Sequence, residues 1–167
     1  KILLMGNPNV GKSVVFSRLT GVNVIQSNYP GTTVGYTKGR LIIDNAEMEI
    51  VDVPGTYSLS PSCKAEEVAR DMFFEEDPEL IINVLDATNL ERNLYLTLQI
   101  LEKGIPTVLV LNMWDAAKRK GVHVNLEKLQ KIMGINVVAA VAVTGEGIKE
   151  LVNTITEITK NPDRNIS

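Results

Sequence analysis

The segment Gly6-Asn7-Pro8-Asn9-Val10-Gly11-Lys12-Ser13 fits the pattern G-x-x-x-x-G-K-[ST]. Its glycines let successive backbone N–H groups turn toward one point, and phosphate oxygens suit such a concave array of donors. Asn7, Asn9, Val10, Gly11, Lys12, Ser13 and Val14 are the expected contacts to a nucleoside triphosphate. The Lys12 ammonium can reach the β- and γ-phosphates, and the Ser13 hydroxyl can ligate Mg²⁺. The apolar run Ile2–Met5 before the loop reads as a buried strand, and the residues from Lys12 onward read as a helix. A helix N-terminus behind the loop adds its positive dipole end to the same site.

Three further clusters complete a possible site. Asp52-Val53-Pro54-Gly55 ends a predicted strand; the carboxylate can hold Mg²⁺ through water, and the Gly55 N–H can reach a γ-phosphate. Gly31, Thr32 and Thr33 lie in the irregular stretch Gln26–Tyr36. A threonine there can offer its hydroxyl to Mg²⁺ and its N–H to the γ-phosphate, with Thr33 preferred over Thr32; the plainer role is to turn a loop. Lys12, Thr33 and Gly55 are the residues expected to act on the reacting phosphate. Asn112-Met113-Trp114-Asp115 follows the apolar run Val108–Leu111. Asp115 can accept from the N1–H and the exocyclic amine of guanine, a donor pair that adenine lacks. Asn112 braces the surrounding loops, and the apolar stem of Met113 lies against the base. Ala142-Val143-Thr144-Gly145 offers a backbone N–H to guanine O6. The ligands implied are GTP or GDP and Mg²⁺.

The elements that must position these groups alternate between apolar β-rich runs and helical patterns. This is the mark of an α/β domain with a mostly parallel sheet and helices on both faces. Six strands are expected, at Ile2–Met5, Thr37–Asp44, Glu47–Val53, Leu80–Asp86, Thr107–Asn112 and Asn136–Val141. Asp44-Asn45-Ala46 reads as a hairpin turn, which makes one strand antiparallel. Helices are expected at Lys12–Leu19, Ala65–Phe74, Leu90–Lys103, Leu126–Met133 and Ile148–Lys160. Asn89 and Asn125 are candidate N-caps; Gly104, Gly121 and Gly134 are candidate helix stops.

At 167 residues the chain suits one domain, residues 1–167. The net charge of −3, with one dense basic cluster at Lys118-Arg119-Lys120, argues against nucleic acid as the main partner. Acidic residues from Glu66 to Glu79 read as a solvated helix face. Cys63 is the only cysteine, so no internal disulfide can form. No apolar run approaches the ~18 residues that span a bilayer.

Together the motifs resemble the Ras-like P-loop GTPases over essentially the whole chain. Gly6-Asn7-Pro8-Asn9, Asn28-Tyr29-Pro30-Gly31-Thr32-Thr33-Val34 and Asp52-Val53-Pro54-Gly55-Thr56-Tyr57-Ser58-Leu59 more closely resemble the G domain of the ferrous iron transport protein B family. Glu66-Glu67-Val68-Ala69-Arg70 and the Met113 of Asn-Met-x-Asp also fit that family. The resemblance implies slow GTP hydrolysis and a fragment of a larger membrane transporter. It further implies a place on the cytoplasmic face of the inner membrane, a membrane domain in the same parent chain, and a possible homo-oligomer. Asn9 is similar to the asparagine of potassium-activated GTPases, where it helps hold K⁺ against the phosphates; as a plain turn residue it would bond its own loop. Thr56 stands where Ras-like proteins carry a water-positioning glutamine, and is too short for that task. Gly35 and Ala142 depart from the family's usual glutamate and serine. The alternatives are a free-standing assembly GTPase acting on ribosomes or tRNA, and a non-catalytic guanine-nucleotide sensor.

Overall fold

A computed structural model describes residues 1–21 and 23–161. Its centre is a seven-stranded sheet in the order β2-β3-β4-β1-β5-β6-β7. The strands are β1 (Ile2–Gly6), β2 (Ile25–Asn28), β3 (Gly35–Ile43), β4 (Ala46–Asp52), β5 (Leu80–Asp86), β6 (Thr107–Asn112) and β7 (Asn136–Ala139). β3 alone runs against the rest, pairing antiparallel with both β2 and β4. The helices are α1 (Lys12–Thr20), α2 (Lys64–Glu75), α3 (Leu90–Leu101), α4 (Trp114–Arg119), α5 (Leu126–Met133) and α6 (Ile148–Lys160).

Strands covered on both faces must be apolar at every position, and β1, β5 and β6 are almost wholly buried. Alternation divides their side chains between two layers. Ile2, Leu4, Ile82 and Val110 face a cluster sealed by Val15, Phe16 and Leu19 of α1 and Leu151 and Ile155 of α6. Leu3, Met5 and Ile81 face the opposite side, against Val68, Met72 and Phe73 of α2 and Leu96 of α3. Phe73 is fully buried there, and truncating such a ring to alanine costs about 3–5 kcal/mol. Toward the β7 edge, Leu109 and Leu111 pack under α4 and α5.

The expected strands and helices are all present, most with ends shifted by a residue or two. The β3–β4 turn consists of Asp44 and Asn45, both at positive φ (49° and 66°), the geometry that matches strand twist in a two-residue hairpin. Gly104, Gly121 and Gly134 each follow a helix at positive φ. Asn125 caps α5, accepting from Lys128 N at 3.0 Å.

Four features depart from the sequence reading. Residues 26–28 of the stretch expected to be irregular join Ile25 in the edge strand β2. Its residues, Ile-Gln-Ser-Asn, carry no clear alternation, and the pairing with β3 is what makes it a strand. Asn89 makes no side-chain cap; a single 3₁₀ turn at Ala87–Asn89 precedes α3, and Asp86 caps that turn through Thr88 N. α4 is a helix too short for its periodicity to show in sequence. Glu66, expected on a solvated face, is only 5% exposed.

Candidate nucleotide site

The C-terminal ends of β1, β4, β6 and β7 converge on one edge of the sheet, where ligands of open α/β folds bind. The loop between β1 and α1 bends sharply there. Asn9 has φ 66° and Gly11 φ 82°, and Gly11 leads directly into α1. A Cβ at Gly11 would run into the side-chain amide of Asn112, so both its conformation and its surroundings require glycine.

Lys12 and Asp52 meet at the centre. The Lys12 ammonium forms an ion pair with the Asp52 carboxylate and donates to Val53 O at 2.5 Å. Ser13, exposed one residue on, makes no side-chain hydrogen bond among the described residues. All three line a cleft of about 470 Å³, together with Gly55 and the facing strands β2 and β3. An adjoining cleft of about 430 Å³ is lined by Asn7, Pro8, Asn9, Gly11, Lys12, Ser13 and Gly55. Asn7 Oδ1 is buried with no hydrogen-bond partner among the described residues. A buried acceptor in that position calls for a donor or a cation. Gly55 packs so closely on Pro8 that a Cβ would lie 3.1 Å from its Cα. An exposed hydroxyl beside a carboxylate is the oxygen donor set that suits Mg²⁺, so these residues fit that ion.

Asn112 ties three loops together. Its Nδ2 donates to Val10 O at 2.9 Å, and its Oδ1 accepts from Ala142 N at 3.0 Å. Met113 holds φ 59° and starts α4; Trp114 N donates to Ala140 O at 3.1 Å. Asp115 sits in the first turn of α4, where the Ala116 N–H, and then the Arg119 guanidinium at 3.2 Å, draw its carboxyl below the usual carboxylate range. The loop after β7 folds back on itself: Thr144 N donates to Val141 O at 3.1 Å, and Val141 bridges to Glu146. Val143 is 69% exposed.

The residues at the tip between β2 and β3 are placed elsewhere. Gly31, Thr32 and Thr33 do not line either cleft. The tip is closed by Tyr29 N donating to Val34 O at 2.9 Å. Thr32 is spent on the turn, its hydroxyl donating to Tyr29 O and accepting from Val34 N. Thr33 is exposed, and its hydroxyl makes no hydrogen bond among the described residues. Tyr29 anchors the tip to α2, donating to Glu75 at 2.8 Å; this bond and burial push the phenol up to about 12.

Two residues carry more of this region than their sequence context signals. Glu66, buried at the start of α2, accepts from Ser62 Oγ and N, Tyr57 N and Thr56 Oγ1. Those four donors, led by the Ser62 hydroxyl, pull its carboxyl down to about 2. Thr56 is fully buried, and its single hydroxyl proton is shared between Ser58 O at 2.7 Å and Glu66 at 3.0 Å. Arg18 reaches from α1 to the loop after β7. An acidic run and a lone helical arginine look like surface in a sequence; only tertiary partners distinguish them.

A family model described as ferrous iron transport protein B matches residues 1–155. The chain belongs to the ferrous iron transport protein B family. The FeoB G domain from Methanococcus jannaschii is 43% identical, with a TM-score of 0.84 over 95% of this chain and 96% of that one. The cytosolic domain of T. maritima FeoB in its GMPPNP form is 40% identical with a TM-score of 0.90, covering 95% of this chain and 63% of that one. Among curated FeoB relatives, the Fe(2+) transport protein A/Fe(2+) transporter FeoB fusion protein of Porphyromonas gingivalis is 43% identical over 159 residues. That match takes in 95% of this chain and 19% of the relative, so the chain spans about a fifth of the FeoB proteins it resembles. The G-domain architecture of FeoB is therefore the architecture of this chain. Among the described residues, no helix is long and apolar enough to cross a membrane.

Proposed function

We propose that this chain is the GTP-binding and GTP-hydrolysing regulatory domain of a ferrous iron transporter. In this reading it lies on the cytoplasmic face of the inner membrane, in the same polypeptide as the membrane domain. The observation that carries the nucleotide reading is the Asn112 side chain, which joins the phosphate loop at Val10 to the loop after β7 at Ala142. One amide thereby sets the distance between a phosphate cradle and a base pocket. The FeoB structures with GMPPNP and GDP support guanine as the base.

The residues divide the work as follows. Backbone N–H groups from Asn9 to Val14 hold the phosphates. Lys12 leaves Asp52 for the β- and γ-oxygens, exchanging one anion for another. Asp52 and Ser13 would hold Mg²⁺, which would supply positive charge to the phosphate oxygens. Thr33 joins when the β2–β3 tip swings from α2 toward the cleft. Water attacks the γ-phosphorus, the bond to the β–γ bridging oxygen breaks, and GDP and phosphate are released. Gly55 N–H holds a γ-oxygen. The Thr56 hydroxyl is engaged by Ser58 and Glu66, which leaves the water to backbone groups of the Thr32–Gly35 loop, to a water chain or to a partner. Asn7 and Asn9 line the adjoining cleft, and side-chain oxygens of this kind suit K⁺, assigned here to Asn9.

Asp115 selects guanine, Met113 covers the ring, and the Val143 N–H faces O6. Of the peptide N–H groups in Ala142, Val143 and Thr144, that of Val143 makes no hydrogen bond among the described residues. Calorimetric titration of the chain with GTP and ATP tests this. GTP is expected to bind more than ~100-fold tighter, because adenine lacks the donor pair that the Asp115 carboxylate would accept. Equal affinities would overturn the reading. In Asp115→Asn, xanthine nucleotides are expected to replace guanine nucleotides, because the amide presents a donor to the xanthine 2-oxo group.

A further inference from the structure

Arg18 lies in the last turn of α1, the helix that begins at the phosphate loop. Its guanidinium spans two consecutive carbonyls of the loop after β7. Nε donates to Ala142 O at 2.9 Å, and Nη2 donates to Val143 O at 2.6 Å. Gly145 closes over the same group; a Cβ there would lie 3.5 Å from Nη1.

The Ala142 carbonyl and the Val143 N–H belong to one peptide unit. The chain has no cis peptide bond among the described residues, and in a planar trans peptide the C=O and N–H point in opposite directions. An arginine that fixes the Ala142 carbonyl therefore also fixes where the Val143 N–H points. The preceding peptide is fixed independently, by Asn112 accepting from Ala142 N. A cation on the carbonyl also draws electron density from the amide and makes its N–H a stronger donor. The charge matters more here because Ala142 has no hydroxyl with which to brace the loop.

We infer that Arg18 is a specificity-determining positioning residue. It orients and polarises the one peptide whose N–H reads the 6-oxygen of guanine, without touching the base. The inference rests on the reading of Asp115 and Val143 as the base pocket. It adds a part that the motifs do not contain: a helix rooted at the phosphate loop that holds the base-reading peptide.

The test uses three diphosphates in competition against a fluorescent GDP analogue. GDP is the reference. 6-Thio-GDP changes only the 6-acceptor, replacing oxygen by weakly accepting sulfur. IDP lacks only the 2-amine that Asp115 reads. In the parent chain, GDP is expected to exceed 6-thio-GDP and IDP, each by about tenfold, the scale of one hydrogen bond. In Arg18→Ala, the GDP to 6-thio-GDP ratio is expected to fall toward one, while the GDP to IDP ratio stays. Arg18→Lys keeps the charge but loses the two-pronged grip, and is expected to fall between them. If Arg18→Ala folds poorly, Arg18→Lys and Arg18→Gln carry the comparison, since each ratio is internal to one protein. Unchanged ratios, or an equal fall in both, would overturn the inference. A parent chain that does not prefer GDP to ADP would instead overturn the base reading itself.

Discussion

Asn9 and Gly11 both take left-handed backbone conformations, for different reasons. Gly11 does so beneath Asn112, where a side chain has no room. Gly11→Ala is expected to displace the Asn112 amide from Val10 O and to add about 1–2 kcal/mol of backbone strain. GDP affinity and the thermal midpoint should fall together, as calorimetry would show. Asn9 is exposed at φ 66°, a conformation asparagine tolerates better than most residues. Its proposed role with K⁺ is tested by single-turnover hydrolysis in matched potassium and sodium chloride. An arginine finger supplies ~10³–10⁵-fold to such reactions, and a fixed cation can provide part of this. Potassium is expected to accelerate hydrolysis by about tenfold or more. Asn9→Ala should remove that gain with little change in nucleotide affinity, because Lys12, Ser13 and the loop N–H groups remain. Equal rates in the two salts would return Asn9 to a turn residue.

The element most dependent on one charge is the segment from Gly55 to the start of α2. Four donors converge on Glu66 and hold its carboxyl down at about 2, below the ordinary 4.5. A lowered folded-state value contributes stability that is present above pH 4.5 and lost as pH falls toward 2. The contribution is at most about 3 kcal/mol. Glu66→Gln is expected to lower the thermal midpoint at neutral pH and to flatten its fall across the acid range. Melting curves of both proteins from neutral pH downward would check this; parallel acid profiles would show that Glu66 is not the group responsible. The β2–β3 tip depends on a weaker tie, the Tyr29 hydroxyl on Glu75. Tyr29→Phe is expected to speed amide hydrogen exchange in residues 29–34. In the parent chain, exchange there should also differ between GDP and GMPPNP, since the proposed approach of Thr33 to a γ-phosphate requires the tip to move toward the cleft. Identical exchange in both nucleotide states would count against a moving tip.

At the scale of the whole molecule, the sheet edge gathers the residues proposed for phosphate, metal and base from loops far apart in sequence. The proposed coupling to iron transport belongs to the proposed parent transporter; the FeoB relatives are about five times the length of this chain. Guanine selection by one carboxylate offers a way to test it without destroying the fold. A parent transporter carrying Asp115→Asn is expected to lose GTP-dependent iron uptake in vesicles and to regain it with XTP inside. Uptake that ignores the nucleotide in both proteins would separate this domain's chemistry from transport.

The places of the Gly6–Ser13 loop, the strand-end Asp52 and the Asn112–Asp115 run at strand ends were legible in the sequence because each is local. Glycines, charges and caps sit at fixed offsets within a few residues, and the strands around them are apolar throughout. The parallel α/β architecture was legible for the same reason, since burial on both faces leaves no polar alternation to misread. What the sequence could not decide depended on partners distant in the chain. Ile25–Asn28 became a strand only by pairing with Gly35–Lys38. Glu66 became buried only because Thr56, Tyr57 and Ser62 fold over it. Arg18 met Ala142 across 124 residues of sequence, a contact that no period or motif encodes. Propensity and pattern act over a turn or a strand, whereas hydrogen bonds between loops are fixed only when the sheet has brought their ends together.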